Sequence, residues 1–321
     1  MGKLTRAIRV DRGLKDRMET SPLTPTGFYR GERKIVALSN LDKIWFPRSK
    51  ISKGDIIEYY HAVAEYFLPH VKNHLLTMQR FPGGITQESF YQKNAGSYFP
   101  AWIKTVSVAK HEGGSIDYVI CNNAATLVYL ANQGAITLHA WLSQASKLYY
   151  PDRMIFDLDP SVNNFSRIRN AALLLKEMFD ELKIPCFAMT TGSRGMHVYI
   201  PLKRIHTFDE VGDFAYAIGK RMLQEFPKEF TLEVRKEKRG TKIFIDTLRN
   251  RYSATSVAPY SVRPHENAPV AAPLHWQEVK DSKLSSQKFT INNVLARLKS
   301  DGDPWHDVDD YAMSLKKFMK K

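Results

Sequence analysis

An α/β (α+β) fold, with a split βαβ sheet of the ferredoxin-like or RRM type packed on an N-terminal α/β module, is predicted by three observations. Apolar runs of strand length alternate with segments of helical period along most of the chain. From residue 151 onward the order becomes β-α-β-β-α-β. Hydrophobic residues make up 43% and aromatic residues 12% of the 321 positions, which supplies a core and excludes a wholly disordered basic chain.

Residues 1–33 are basic, polar and turn-rich (SPLTPTG) and are expected to form a flexible lead-in. A module over 34–150 follows. Ser52 with Asp55 three residues on makes a capping box, ahead of Ile56, Ile57, Tyr60, Val63, Ala64 and Phe67 at helical spacing. Strands are expected at 75–80, 105–109, 116–120 and 135–139, with a helix at 124–132. The second unit, 151–302, opens with the apolar strand RMIFDLD. A helix over 165–182, strands over 185–191 and 196–202 joined by the turn TGSRG, a helix over 208–226 and a strand over 242–246 complete the pattern, with a further short strand at 230–234. In such a fold the first strand is central, flanked by the third and the last. Beyond Pro259 the chain is Pro-rich and extended, and 303–321 is expected to close with a basic helix from Tyr311.

Lys plus Arg number 47 against 33 Asp plus Glu, a net charge of +14 that points to a polyanionic partner, nucleic acid before anionic membrane. The two cysteines, Cys121 and Cys186, build neither a disulfide framework nor a Cys-based zinc module, which suits a reducing cytoplasm. The N-terminus has no apolar leader, and the longest apolar stretch is broken by Asn122, Asn123, Asn132, Gln133 and His139, so no spanning helix is expected.

Asp157 and Asp159 end an apolar strand, and a period of two puts both carboxylates on one face. The pairs Asp301/Asp303 and Asp307/Asp309 lie in a polar turn region and read as a solvated acidic loop. The first pair differs because Met154, Ile155 and Phe156 make its strand core-like, where two carboxylates repel unless a cation neutralises them. Asp246 closes another apolar strand, which the fold places alongside. Three converging carboxylates make the oxygen-rich setting that Mg²⁺ or Mn²⁺ prefers, and two such ions serve phosphoryl transfer. For any one Asp alone, a strand-end salt bridge to Lys242 or Arg249 is the alternative. The turn at 190–197 supplies an anion seat. Gly192 and Gly195 let backbone N–H groups face an anion, Ser193 adds a hydroxyl, Arg194 a forked cation, and His197 opens the neighbouring strand. A plain hairpin turn is the alternative there. Arg235, Lys236, Lys238, Arg239, Lys242, Arg249 and Arg251 cluster about the last strand, with Arg263 beyond; most read as surface charge, a few as partners for phosphates.

FDLDP, TTGSRGMHVYIPL, and KIFIDTLRN followed by APYSVRP resemble the three catalytic motifs of the archaeo-eukaryotic primase superfamily, most closely the polymerase domain of bacterial ligase D in non-homologous end joining. SNLDKIWFP, ISKGDIIEYYHAVAEYFLPHV, QRFPGGITQESFYQKNA and AITLHAW are similar to that family's N-terminal segments, so the resemblance spans Leu38 to Gly302. It implies a primase-like core acting as a DNA-directed nucleotidyltransferase. Such an enzyme adds NTPs or dNTPs, ribonucleotides favoured, to primer 3′ ends and fills short gaps under two Mn²⁺ or Mg²⁺ ions. By motif, Asp157, Asp159 and Asp246 would be the catalytic metal ligands. Ser193, Arg194, Gly195, His197, His139, Arg249 and Arg263 would hold the nucleotide. Asn40, Lys43 and Lys53 would grip a downstream 5′-phosphate, and Phe90 and Tyr91 would stack on the template. Surface charge for the lysines, core packing for the aromatic pair and a buried, hydrogen-bonded role for His139 are the alternatives. The chain departs from the pattern at Arg194, where many relatives carry Lys, and at Gln79, where some carry a basic residue. The implied partners are gapped or broken DNA with a 5′-phosphate, a Ku-like end-binding protein and a separate ligase, with no membrane and a cytoplasmic, nucleoid-associated location. A primase that starts chains de novo and a non-catalytic DNA-end-binding module are the rival functions.

Overall fold

The computed structural model describes residues 23–319 apart from 25, 26, 32, 33 and 111. The part of the expected lead-in over 1–22 lies outside the described residues. Among the described residues, β1 (Leu23–Thr24) and β2 (Phe28–Gly31) of that segment join β3 (Lys34–Ala37) in an antiparallel sheet of that order. Tyr29 and Val36 face each other across it and are both buried, which ties the sheet to the core.

The hairpin of β4 (Ile44–Phe46) and β5 (Ile51–Ser52) leads into α1 (Lys53–Ala62). The capping box is formed: the Asp55 N–H donates to Ser52 Oγ while the Asp55 carboxylate accepts from the Ser52 N–H. The single helical period read over 56–67 is two helices, with α2 (Ala64–Val71) starting afresh after Val63. The spacing survives the break because Val63 stays right-handed and fully buried.

β6 (His74–Arg80), β7 (Phe90–Gln92), β8 (Lys104–Ala109), β9 (Ser115–Ile120), α3 (Ala124–Asn132) and β10 (Ala135–Gln144) follow. β10 runs past its expected end at His139 because Ala140–Ser143 are buried between neighbouring strands. The rest of the chain supplies β11 (Arg153–Asp159), α4 (Phe165–Glu181), β12 (Phe187–Thr190), β13 (Met196–Pro201), α5 (Phe208–Glu225), β14 (Phe230–Thr231), β15 (Ile243–Asp246), β16 (Thr255–Val257) and β17 (Ala272–Leu274). The strand order of the second sheet is β14-β15-β11-β13-β12-β17, with β11 antiparallel to both β13 and β15. The strand that opens the β-α-β-β-α-β run therefore sits between the third and last strands of that run. The first sheet reads β16-β10-β6-β9-β8, with β7 also on β6. Because β16 pairs with β10, the boundary drawn at residue 150 is crossed by the sheet itself.

One face of the second sheet is covered by apolar stripes of α4 (Ile168, Ala171, Leu175) and α5 (Val211, Ala215, Met222). On its other face Ile155, Met189 and Tyr199 pack with Leu142, Val257 and Trp305, which joins the two sheets. Beyond Pro259 the chain also forms α6 (Trp276–Lys280) and α7 (Val294–Asp301), the latter burying Val294 and Leu298. The basic helix expected from Tyr311 is absent from the described residues. Met313 instead exchanges main-chain hydrogen bonds with Pro201 and Lys203 at the end of β13, and Leu315 is buried, leaving only 3-10 turns on either side. Among the described residues no helix is long and apolar enough to cross a membrane.

Candidate active site

Three strands deliver one row of titratable side chains. Asp157 on β11 lies directly opposite Asp246 on β15 and opposite His197 on β13. Residues facing each other on antiparallel strands point to the same side, so all three share a face, and Asp159 joins them by the period of two. Arg249 follows β15 and its Nε lies 3.3 Å from Asp246 Oδ2 and 3.5 Å from Asp157 Oδ2. His197 Nε2 is 3.5 Å from Asp157 Oδ1, and Arg194 Nη2 is 3.8 Å from Asp159 Oδ1. Burial pushes the Asp157 carboxyl up, but His197, Arg249 and Arg263 outweigh it and hold it below the ordinary carboxylate value. Asp159 and Asp246 go the other way. Burial, and then the charge of Asp157, raise Asp159; burial raises Asp246 against the pull of Arg249, with Asp157 adding to the rise.

Among the described residues no three His, Cys, Asp or Glu side chains stand gathered as a ready metal cage, and Arg249 bridges Asp157 and Asp246. The donor set is nonetheless all carboxylate and partly open, which fits a hard divalent ion once Arg249 gives way.

The turn between β12 and β13 is held from within by Thr191, whose hydroxyl donates to the Gly195 carbonyl (3.1 Å) and accepts from the Gly195 N–H (3.3 Å). Gly192 has φ +66, and a Cβ there would meet the Val270 backbone at 2.7 Å. Gly195 is demanded by proximity: a Cβ would lie 2.2 Å from the Leu158 carbonyl oxygen on β11. The turn therefore presses directly on the strand that carries Asp157 and Asp159. Ser193 Oγ bonds His265 Nε2 at 2.9 Å.

Asp157, Asp159, Ser193, Arg194, His197 and Arg249 line a cavity of about 200 Å³, together with His139 and Arg263. Burial first, then Arg263, Arg249 and His197, push the His139 imidazolium down to about 3, so the ring is neutral. His139 Nε2, His197 Nδ1 and Arg263 Nε are buried and have no hydrogen-bond partner among the described residues. The alternative of a satisfied core histidine thus fails for His139. Of the wider basic cluster, Arg239 is buried and donates to the carbonyls of Glu233 and Val234, while Arg251 pairs with Asp213 at 3.1 Å. Sequence reasoning missed His265, Thr191, Thr255 and Ser256. Only His265 left a signal, two residues past Arg263 in SVRPHENAP.

Lys43 and Lys53 are brought together at the two ends of the β4–β5 hairpin, where the Lys53 N–H donates to the Lys43 carbonyl (2.8 Å). Lys53 is buried, with Nζ donating to the Ser39 carbonyl (2.7 Å); burial, and then the charge of Lys43, lower its ammonium to about 8. Lys43 Nζ donates to the Pro82 carbonyl (2.7 Å). Asn40, left-handed at φ 53, bonds the Lys43 N–H through its carbonyl. Phe90 and Tyr91 are both exposed, which removes the core alternative. Arg80 lies over the Phe90 ring, and Tyr91 meets the His139 ring edge-on at 5.8 Å, at the rim of the cavity.

Asp303 is not the solvated residue expected: it accepts from Tyr260 Oη (2.6 Å) and pairs with His70 (2.9 Å). It lines a larger cavity of about 410 Å³ at the opposite end of β11. There Arg153 is already paired with Asp152 and His74. A ligase module's K-x-D-G motif is expected to be absent from this chain, yet Lys299-Ser300-Asp301-Gly302 spells it, at the end of α7 with Gly302 at φ 78 and Lys299 solvent-exposed.

Residues 52–305 match the family described as the LigD primase-polymerase domain. The bifunctional non-homologous end joining protein LigD of Bacillus subtilis is 36% identical over 271 residues, 84% of this chain and 43% of its own length. The multifunctional LigD of Pseudomonas aeruginosa is 32% identical over 284 residues, 88% of this chain and 34% of its own length. The chain thus spans less than half the length of these curated relatives. A polymerase domain of Mycobacterium tuberculosis ligase D in complex with DNA superposes with a TM-score of 0.80 at 30% identity, covering 87% of this chain and 99% of that one.

Proposed function

The chain belongs to the LigD primase-polymerase domain family, and from that premise we propose that it extends primer 3′ ends under template direction and fills short gaps at double-strand breaks in non-homologous end joining. The observation that carries this is the row Asp246, Asp157, His197 across three adjacent strands, with Asp159 beside a glycine-bordered anion seat. Asp157, Asp159 and Asp246 would hold two Mn²⁺ or Mg²⁺ ions, which when bound activate an attacking oxygen and stabilise a leaving one.

The chain's own groups account for the rest. Arg249, now shared by two carboxylates, turns to the triphosphate when those carboxylates find other cations. Arg194 and Ser193 present a forked cation and a hydroxyl to the same phosphates. His197 Nδ1, His139 Nε2 and Arg263 Nε, buried without partners, gain them from a nucleotide in the cavity. Neutral His139 does so without adding charge. The primer 3′-oxygen would attack the α-phosphorus in line, with pyrophosphate leaving. Lys43 and Lys53 would receive a downstream 5′-phosphate, and Tyr91 at the cavity rim would meet a template base. Ribonucleotide use belongs to the same proposal.

The test is primer extension on a short-gapped, 5′-phosphorylated duplex with Mn²⁺ or Mg²⁺ and each nucleotide type. Asp157→Ala and Asp159→Ala should abolish incorporation while DNA binding persists; full activity in either would remove the carboxylate site.

A further inference from the structure

The loop that carries Arg263 and His265 is fastened to the β4–β5 hairpin by the side chains of Glu266 and Ser49. The Glu266 carboxylate accepts from the Ser49 hydroxyl (3.0 Å) and from the backbone N–H groups of Ser49 (3.1 Å) and Arg48 (3.3 Å) at the hairpin tip. The Asn267 N–H returns a bond to Ser49 Oγ (3.2 Å). We propose that Glu266 is a positioning residue that couples the 5′-phosphate grip to the nucleotide seat. This rests on the function proposed above.

The coupling follows from what each end of the clasp holds. The hairpin has Lys43 just before it and Lys53 just after it, bonded to each other through the main chain. Drawing the two ammonium groups onto a phosphate displaces the hairpin as a unit. On the other side, Arg263 lines the cavity, the His265 N–H donates to the Arg263 carbonyl (2.8 Å), and His265 Nε2 meets Ser193 Oγ. Asn267 and Ala268 follow at φ 67 and φ 46, left-handed positions that non-glycine residues keep only where the surroundings over-determine them. Glu266 supplies three of those restraints, all charge-assisted. A carboxylate at this point is thus the direct tie between hairpin and loop, and its loss leaves each site intact but uncoupled.

The experiment measures the nucleotide KM of the full chain on gapped duplexes with a 5′-phosphate or a 5′-hydroxyl downstream. In the unmodified protein the phosphate should lower KM about fivefold, the lower end of usual coupling. In Glu266→Gln, and in Ser49→Ala as a milder second variant, the two KM values should agree within about twofold, while tighter binding of phosphorylated DNA is retained. A merely structural role would change stability or kcat on both substrates alike. If Glu266→Gln keeps the full KM difference, or if the unmodified protein shows none while incorporating nucleotide, the coupling is overturned and the polymerase function stands. If the unmodified protein incorporates nothing on either duplex, the function itself is overturned, and the coupling with it.

Discussion

Each residue of the site is tuned by its immediate neighbours. Asp157 holds its charge because His197, Arg249 and Arg263 face it, while Asp159 and Asp246, with weaker support, are pushed up. Lys53 shows the same logic with opposite sign. Its ammonium titrates near 8 instead of 10.5, so preference for a 5′-phosphate should fade as pH rises through about 8, measured by binding of phosphorylated against unphosphorylated gaps. A site of ordinary exposed lysines would keep its preference to far higher pH, and that result would count against Lys53. Stability runs the other way: the unfolded chain holds this proton up to about 10.5, so the fold gains stability between pH 8 and 10.5 while the phosphate grip is lost. The identity of these residues was legible in the sequence; their protonation was not, because burial and neighbouring charge are set by distant segments.

At the scale of elements, the period of two and the helical period located most strands and helices, since each reports which face a segment buries. They failed where burial was continuous or where main-chain pairing came from far away. β10 extends through Ala140–Ser143 because both its neighbours cover it, and the segment around Met313 pairs with the end of β13 instead of closing into a helix. The turn between β12 and β13 makes a sharp prediction. Gly195→Ala would set a Cβ against the Leu158 carbonyl, so the two central strands must part at their catalytic ends. A loss of about 2–4 kcal/mol in urea unfolding, with nucleotide addition lost as well, is the expected outcome. Unchanged activity would show that the turn does not seat the nucleotide.

Over the whole molecule, the two sheets are joined by apolar packing and by a buried charge network in which Arg153, the first residue of β11, and Asp152 just before it meet His74 on β6. Burial pushes Asp152 up, yet Arg153 and His74 hold it well below the ordinary carboxylate value. Its contribution is therefore complete above the unfolded value of about 4 and is lost as pH falls below it. Asp152→Asn should cost about 3–5 kcal/mol at neutral pH, because Arg153 is left buried without its counter-charge. Thermal unfolding at pH 7 checks this; a shift within error would make the network dispensable. The net charge of +14 has a separate consequence. DNA affinity should fall steeply with salt, each phosphate contact contributing a log–log slope of about 0.9, and removing Lys43 should reduce the slope by about one contact.

The sequence by itself determined which chemical groups are present and in what local order: three carboxylates at strand ends, a glycine-bordered turn, basic residues flanking a capped helix. Local periodicity and turn chemistry depend on neighbours within a few positions, so they survive in a linear text. Tertiary structure alone decided that Asp246 stands opposite Asp157 with Arg249 between them, that Asp303 is buried against Tyr260, and that Glu266 reaches a hairpin 217 residues away. Those facts depend on strand register and loop docking between remote segments, and only the packed chain brings such segments within hydrogen-bonding distance.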